Sequence, residues 1–478
     1  MTRCVTRSGP GCYSRGTMTD FLHELLDWQF IVSGLALIVG VHAVLGCAAI
    51  SIWIERKLSA YIQDRIGPNR AGFDFGLAFL APLKGMLGLG QVLADGIKAV
   101  TKEDYTPPNV DKVLFTLAPM FAVIPALITF VILPWGGYLE IPAAQDMWFF
   151  RFLMDLPMLL GGGVFTFVFA DLQPQTVSFA GAEVSIGIIY LLAVASVGAY
   201  GVTLGGWASN NKYSMLGGLR ATAQMISYEI PMGLALLCCL LIAGSFMPNE
   251  IVMHQRESGW LILSLPLPAI LFYICVLAEA GRAPFDNAEA EQELVGGYHT
   301  EYSSMRYLLF PLTEYLHMVT GSAFFVLLFL GGYDLPFVGA LSAESTGILA
   351  VMLKFGVFLS KTMLMVCFAI ALRWTIPRVR YDQVMMLGWG AMIPAGLLMI
   401  VVTSIMVHMG WTSVLPMLGA NAFMLVVIMI GRKVLAGMFG RAVVNHKIPM
   451  YGSRFSPVEG THVQDAPSHP MARHDAPA

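Results

Sequence analysis

Nine apolar runs punctuate the chain, at 29–53, 113–134, 185–205, 225–246, 261–279, 319–333, 352–372, 391–410 and 414–431. Most reach the ~20 residues that a helix needs to cross a bilayer. The sixth is short unless its helix extends back into the preceding loop. No long alternation of apolar and polar residues accompanies the runs, which argues against a membrane β-barrel. In lipid the backbone has to satisfy its own hydrogen bonds. The pattern therefore predicts an all-α polytopic membrane protein with about nine transmembrane helices between residues 29 and 432.

One further apolar stretch, 149–170, does not fit a simple count. A single extra crossing there would invert every later loop. We read it as a re-entrant, surface-lying or hairpin insertion on the outer side.

Composition agrees with the pattern. The 478 residues are 56% hydrophobic and 12% charged, whereas soluble domains carry about 25% charged residues. Basic residues fall on alternate loops. Loops 55–112, 206–224, 280–318 and 373–390, with the tail after the last run, hold 21 Lys and Arg, against 2 in the intervening loops. The positive-inside rule places the first group and the C-terminus in the cytoplasm and the N-terminus outside. Residues 1–28 form a leader and the approach to the first helix. The first seventeen carry Arg3, Arg7 and Arg15 without an apolar core, so they are not a secretory signal. They read either as a disordered leader or as an artefact of where the start was assigned. The tail 433–478, rich in Pro, His and Ser, is expected to be largely disordered. Seven cysteines are scattered without CxxC or His/Cys metal spacing. We therefore expect no metal, iron–sulfur cluster or flavin on this chain.

The cytoplasmic loops concentrate the chemistry. Glu55-Arg56-Lys57 opens loop one, and Leu58, Tyr61, Ile62 and Arg65 share a helical face. This suits an interfacial amphipathic helix stopped by Gly67-Pro68, although basic residues snorkelling at a span end explain part of it. In loop three Arg220, Gln224 and Tyr228 recur every four residues, and Glu229 follows at the start of a span. An acid at membrane depth is a functional candidate. Loop five runs from Glu279 through Arg282, Asp286, Glu289, Glu291 and Glu293 to Glu301, and Glu314 continues the acidic series. Part of this acid is helix capping. Asp286, Glu289 and Glu293 nevertheless line one face, where neighbouring carboxylates resist joint ionisation and raise one another's pKa. Within spans, Lys354 and Lys361 share a face of the seventh, with Lys361 deeper, and Glu183 heads the third. Each such charge needs a partner or water.

Four segments resemble the H-subunit family of respiratory complex I: 55–70, 205–230, 279–302 and 373–383. The likeness extends over roughly residues 30–410. It implies the membrane subunit at the heel of an NADH:quinone oxidoreductase, where the peripheral arm meets the membrane arm of a bacterial inner-membrane complex. Such a subunit carries no redox centre, is not catalytic alone and walls a quinone tunnel. Its partners would be the peripheral-arm quinone-site and iron–sulfur subunits, the small membrane subunits, the antiporter-like subunits and membrane lipid, with no nucleic acid. Quinone would be a substrate. By motif position, Arg56, Lys57, Arg65, Asp95, Arg220 and Gln224 would shape the tunnel. Glu279, Arg282, Asp286, Glu289, Glu291, Glu293 and Glu301 would form an acidic funnel. Glu183, Tyr228 and Glu229, with Lys361, would carry protons onward. The chain departs from the family pattern in extra residues at 79–90, an enlarged second loop before Glu183, the leader and the tail. Two other assignments fit less well: the homologous subunit of a membrane-bound hydrogenase, and a stand-alone ion transporter. The transporter would show inverted repeats, and none is visible.

Overall fold

The structure is a computed structural model that describes residues 28–72, 85–141, 175–288, 294–335 and 345–439. The leader, the 149–170 stretch, Glu289, Glu291, Glu293 and nearly all of the tail lie outside the described residues. Two units divide the chain, Met1–Ala422 and Phe423–Ala478. The second is described only for the end of its helix.

Among the described residues, eight helices are long and apolar enough to cross a membrane. They are α1 (Trp28–Ile62), α3 (Lys112–Ile132), α4 (Gly187–Ala208), α5 (Lys212–Ala243), α9 (Ser304–Phe329), α10 (Ile348–Thr375), α11 (Tyr381–His408) and α12 (Val414–Phe439). The shorter elements are α2 (Gly90–Thr101), α6 (Pro248–Ser258), the single turn α7 (Leu261–Ser264) and α8 (Pro266–Glu279). The expected fifth span is thus the 14-residue α8 preceded by α7. This is the helical, polytopic architecture that the apolar runs predict.

Two boundaries differ from the sequence reading for physical reasons. First, Leu58, Tyr61 and Ile62 do not form a separate interfacial helix, because α1 runs unbroken to Ile62. No Gly or Pro interrupts 53–62; the chain turns only at Asp64 (φ 57°) and Gly67 (φ 72°). The separate amphipathic helix is α2, whose Leu93, Ile97 and Val100 form an exposed apolar stripe. Second, α9 extends back to Ser304. Its polar residues lower its hydropathy, yet 89% of its most apolar window is buried within the protein. Polar side chains on α9 therefore meet protein, not lipid.

The helices are capped and packed conventionally. Asp111 accepts from the Val113 and Leu114 amides at 3.0 and 3.2 Å to start α3, and Asn211 accepts from Tyr213 at 3.0 Å to start α5. Gly244 ends α5 in the left-handed region at φ 70°. α5 packs on α4, α8 and α11, and α9 packs on α1, α3, α8 and α10. α4 approaches α3 at Gly201, where a Cβ would stand 2.4 Å from the Ala122 amide nitrogen. Small residues of this kind set close helix pairs in membranes.

A two-stranded antiparallel ribbon, β1 (Tyr138–Ile141) and β2 (Gln175–Ser178), closes one end of the bundle. Ile141 and Gln175 are register partners at the end of the ribbon. We call this the hairpin end. The opposite end, carrying the loops before α5 and after α8, is the loop end.

Candidate functional site

The loop end buries a cluster of charges drawn from four distant segments. Glu55 lies near the end of α1, Arg282 follows α8, Glu314 and Tyr315 sit on α9, and Arg373 ends α10. Arg373 pairs with Glu55 Oε1. The Tyr315 hydroxyl donates to Glu55 Oε2 at 2.5 Å. Arg282 Nε meets Glu314 Oε2 at 2.9 Å, with Nη1 3.9 Å from Glu55 Oε2. The Arg282 guanidinium also covers the Tyr315 ring at 4.1 Å. Tyr298 donates to Glu314 Oε1 at 3.1 Å. Two carboxylates thus face two guanidiniums, which offsets the desolvation of each.

Beside this cluster lies a cavity of about 40 Å³, lined by Gln224, Glu279, Tyr298, Glu314 and His317 among apolar groups. A smaller cavity, of about 10 Å³, is lined by Ser196, Glu229 and Glu279. Met225 and Glu279 line both. Glu314, Glu279 and Glu229 therefore stand in sequence along two adjoining cavities. Gln224 Nε2 donates to the Ala278 and Phe285 carbonyls at 2.9 and 2.8 Å, tying α5 to the end of α8 and to loop five. Tyr302 stacks on Phe115 with centroids 4.0 Å apart, fixing the other end of that loop. Buried away from water, the Tyr302 hydroxyl is held well above the usual tyrosine range.

The sequence candidates distribute unevenly over this frame. Gln224, Glu229, Glu279 and Arg282 come together around the two cavities. Asp286 stays in loop five, where its carbonyl accepts from Arg378. Glu301 accepts from Asn211 Nδ2 at 2.7 Å and pins loop five to the start of α5. The Tyr228 hydroxyl is engaged by the Val384 carbonyl at 2.9 Å, next to a π turn at Leu387–Met392 in α11. π turns are frequent at functional sites.

On the tunnel set, Arg56 pairs with Asp95 at 2.7 Å and joins α1 to α2. Gln91 holds the same carboxylate at 2.9 Å. Lys57 is buried and donates to the Ile66 carbonyl at 3.2 Å. It borders an apolar groove walled by Trp53, Leu58, Tyr61 and Leu87. Arg65 is exposed. Arg220 lies 5.5 Å over the Tyr381 ring.

Glu183 and Lys361 are not brought to the cavities. Both belong to the hairpin end. Glu183 accepts from Tyr138 at 3.0 Å and Asn249 at 3.2 Å. Burial, and after it Glu183, push the Tyr138 hydroxyl up to about 12. Lys361 Nζ donates to the Leu330, Gly332 and Asp334 carbonyls at 2.8, 3.0 and 2.7 Å. Lys354 donates to the Ser345 carbonyl at 2.5 Å. The span lysines were expected to have an acidic partner or water; their hydrogen bonds go to backbone oxygens, and the Asp334 carboxylate acts on both charges.

The sequence reading leaves Glu55, Arg373, Tyr315, Tyr298 and His317 outside the candidate set and gives Glu314 no role. The signal for them was charge beside span ends at 55 and 373, and the Glu314/His317 spacing of three on one helix. Among the described residues, no group of three or more His, Cys, Asp or Glu stands together to hold a metal.

A family model described as NADH dehydrogenase matches residues 35–404. The chain is 38% identical over 376 residues to the NADH-quinone oxidoreductase H subunit (numbered 1) of Cytophaga hutchinsonii, covering 78% of this chain and 96% of that protein. It is 38% identical over 388 residues to the NADH-quinone oxidoreductase H subunit of Flavobacterium psychrophilum, covering 80% and 98%. The equivalent protein of Leptospira biflexa is 40% identical over 383 residues, with 80% and 96% covered.

Proposed function

The chain belongs to the NADH dehydrogenase family, among the H subunits of the NADH-quinone oxidoreductases, and on that basis we propose that its loop end walls a quinone site and couples quinone reduction to proton movement. It is a multi-pass membrane protein and part of an oxidoreductase complex. The other subunits of that complex are its partners. In our reading the loop end faces the cytoplasm, where peripheral-arm subunits close the site and supply electrons. This chain holds no redox centre in that reading and works only within the assembly.

The observation that carries the proposal is the row of Glu314, Glu279 and Glu229 along two adjoining cavities, with Glu314 paired to Arg282 of the charge cluster. Quinone needs an apolar approach and a polar end. The groove beside Lys57, between α1 and Leu87, offers the first, and Arg56, Arg65 and Arg220 stand at the same end. Reduction of a quinone by two electrons requires two protons. Negative charge developing on its head is stabilised by guanidinium groups and neutralised by acids. A unit charge appearing about 10 Å from a carboxylate, at an effective dielectric near 20, is worth about 1.7 kcal/mol, which changes proton affinity more than tenfold. Charge at the quinone thus alters the protonation of Glu314 and Glu279, and Glu229 takes the change deeper into the bundle. Loop-five acids Asp286, Glu289, Glu291, Glu293 and Glu301 feed the row from outside. Glu183, Tyr228 and Lys361 line neither cavity and in our reading stand outside the path.

The test is Glu279→Gln in the whole complex, reconstituted in vesicles. NADH-driven proton translocation should fall about tenfold or more. Oxidation of NADH by an artificial acceptor at the peripheral arm should stay unchanged. Full translocation in this variant would overturn the proposal.

A further inference from the structure

The larger cavity contains an ionisable group that has no part in the row of acids. His317 sits on α9 one turn beyond Glu314, and both line the cavity. It is only 7% exposed. Among the described residues, nothing donates to or accepts from its Nε2. A histidine serving as packing in a membrane bundle hands each ring nitrogen to a partner, because a polar nitrogen left open in apolar surroundings is costly. This one faces free space shared with two carboxylic acids.

The neighbouring helix keeps that space open. Gly198 on α4 lies against the ring, and a Cβ there would stand 3.0 Å from Nε2 and 3.2 Å from Cε1. The rest of the lining sharpens the case. α3 contributes Ala122, and α4 contributes Gly198 and Val202, none of them titratable. α5 contributes the uncharged Gln224 and Met225, plus Ala221. The titratable groups facing His317 are therefore Glu314 on its own helix, Glu279 at the end of α8 and Tyr298 from loop five, with Arg282 behind Glu314.

We propose that His317 is a proton carrier between Glu314 and Glu279, bridging them across the larger cavity. The proposal rests on the reading of the loop end as the proton-coupling region. In the step, the O–H bond of protonated Glu314 breaks and an N–H bond forms at His317 Nε2. The imidazolium then releases a proton toward the Glu279 carboxylate. A cavity of about 40 Å³ has room for a water between its polar groups, and such a water spans whatever gap the side chains leave. No electron or other reactant is required. An imidazole suits the position because a ring nitrogen can both accept and donate a proton.

The experiment uses the complete complex in vesicles and two substitutions. His317→Gln keeps size and hydrogen bonding and carries no proton. Gly198→Ala retains the imidazole and crowds Nε2. His317→Gln should lower coupled quinone reduction about tenfold. It should also raise the solvent deuterium isotope effect on turnover, since proton movement becomes the slow step. The amount of intact complex, read on a native gel, should hold, as should NADH oxidation with an artificial acceptor. Gly198→Ala should show a smaller loss in the same direction. Full coupled turnover with an unaltered isotope effect in His317→Gln overturns the inference. So does failure of His317→Gln to assemble, which would make the residue one of packing. Glu279→Gln is measured alongside. A loss there with normal His317→Gln sinks the inference alone, whereas normal behaviour in Glu279→Gln sinks the underlying reading too.

Discussion

Both ends of the bundle bury ionisable side chains, but they employ them differently. At the loop end, Glu55, Arg282, Glu314 and Arg373 face one another beside a cavity. At the hairpin end, Lys361 gives three hydrogen bonds to the carbonyls of the chain leaving α9, and Lys354 bonds the Ser345 carbonyl. Glu183 holds Tyr138 and Asn249. A cation bonded to loop carbonyls cannot exchange its proton without loosening that loop. A carboxylate on a cavity wall can exchange a proton with little backbone movement. A charge at membrane depth is therefore not by itself a sign of proton traffic. What its polar atoms touch decides.

The largest effect that bears on this contrast is expected at Arg282. Arg282→Leu leaves Glu314 without its 2.9 Å partner and removes a cation from beside Glu55. Breaking a buried ion pair by removing one member costs about 3–5 kcal/mol. We expect markedly less assembled complex. In what assembles, quinone reduction should fall more than about tenfold relative to artificial-acceptor activity. Normal assembly together with normal quinone reduction would mean that the cluster is not what sets the loop end apart.

Much of this architecture is legible in the sequence because its cause is local. Long apolar runs locate the spans, and Gly67-Pro68 marks the turn after α1. Polar spacing puts Arg220, Gln224 and Tyr228 on one helix, which α5 confirms by running from Lys212 to Ala243. What escapes is set by tertiary contact. Glu55 meets Tyr315 across 260 residues and Arg373 across 318, and no local pattern encodes either meeting. The start of α9 is missed because Arg306 and Glu314 depress its hydropathy, although they face protein. The hydrogen bonds of Lys361 go to backbone oxygens, which leave no trace in residue types.

A smaller effect, of a different kind, is expected at Lys361. Lys361→Met deprives three carbonyls of a donor, at on the order of 1 kcal/mol or more for each. The complex should inactivate at a temperature lower by a few degrees. The ratio of protons moved to electrons transferred should stay unchanged, measured in vesicles with NADH and quinone. A fall in that ratio at normal thermal stability would erase the contrast between the two ends, because a carbonyl staple would then be moving protons.

The smallest effect is expected at Glu183, and it is the most discriminating. Glu183→Gln keeps an oxygen for the Tyr138 hydroxyl and the Asn249 amide. What it removes is the ability to bind and release a proton. If the hairpin end is architecture, coupled turnover should remain within about twofold of the parent, since no barrier-lowering acid or base has been lost. The network's dependence on pH has a definite sign. Tyr138 ordinarily titrates at 10.0 and is held at about 12 by burial first and by Glu183 next. Its hydroxyl keeps its proton in the folded state, so its contribution to stability is complete below about pH 10 and is lost as pH rises toward 12. Thermal inactivation of parent and Glu183→Gln should therefore agree through neutral pH. They should separate only in the alkaline range, where the substituted network binds a slightly more acidic phenol. A tenfold loss of coupling at neutral pH, with assembly intact, would make Glu183 a carrier and extend the acidic row to the hairpin end.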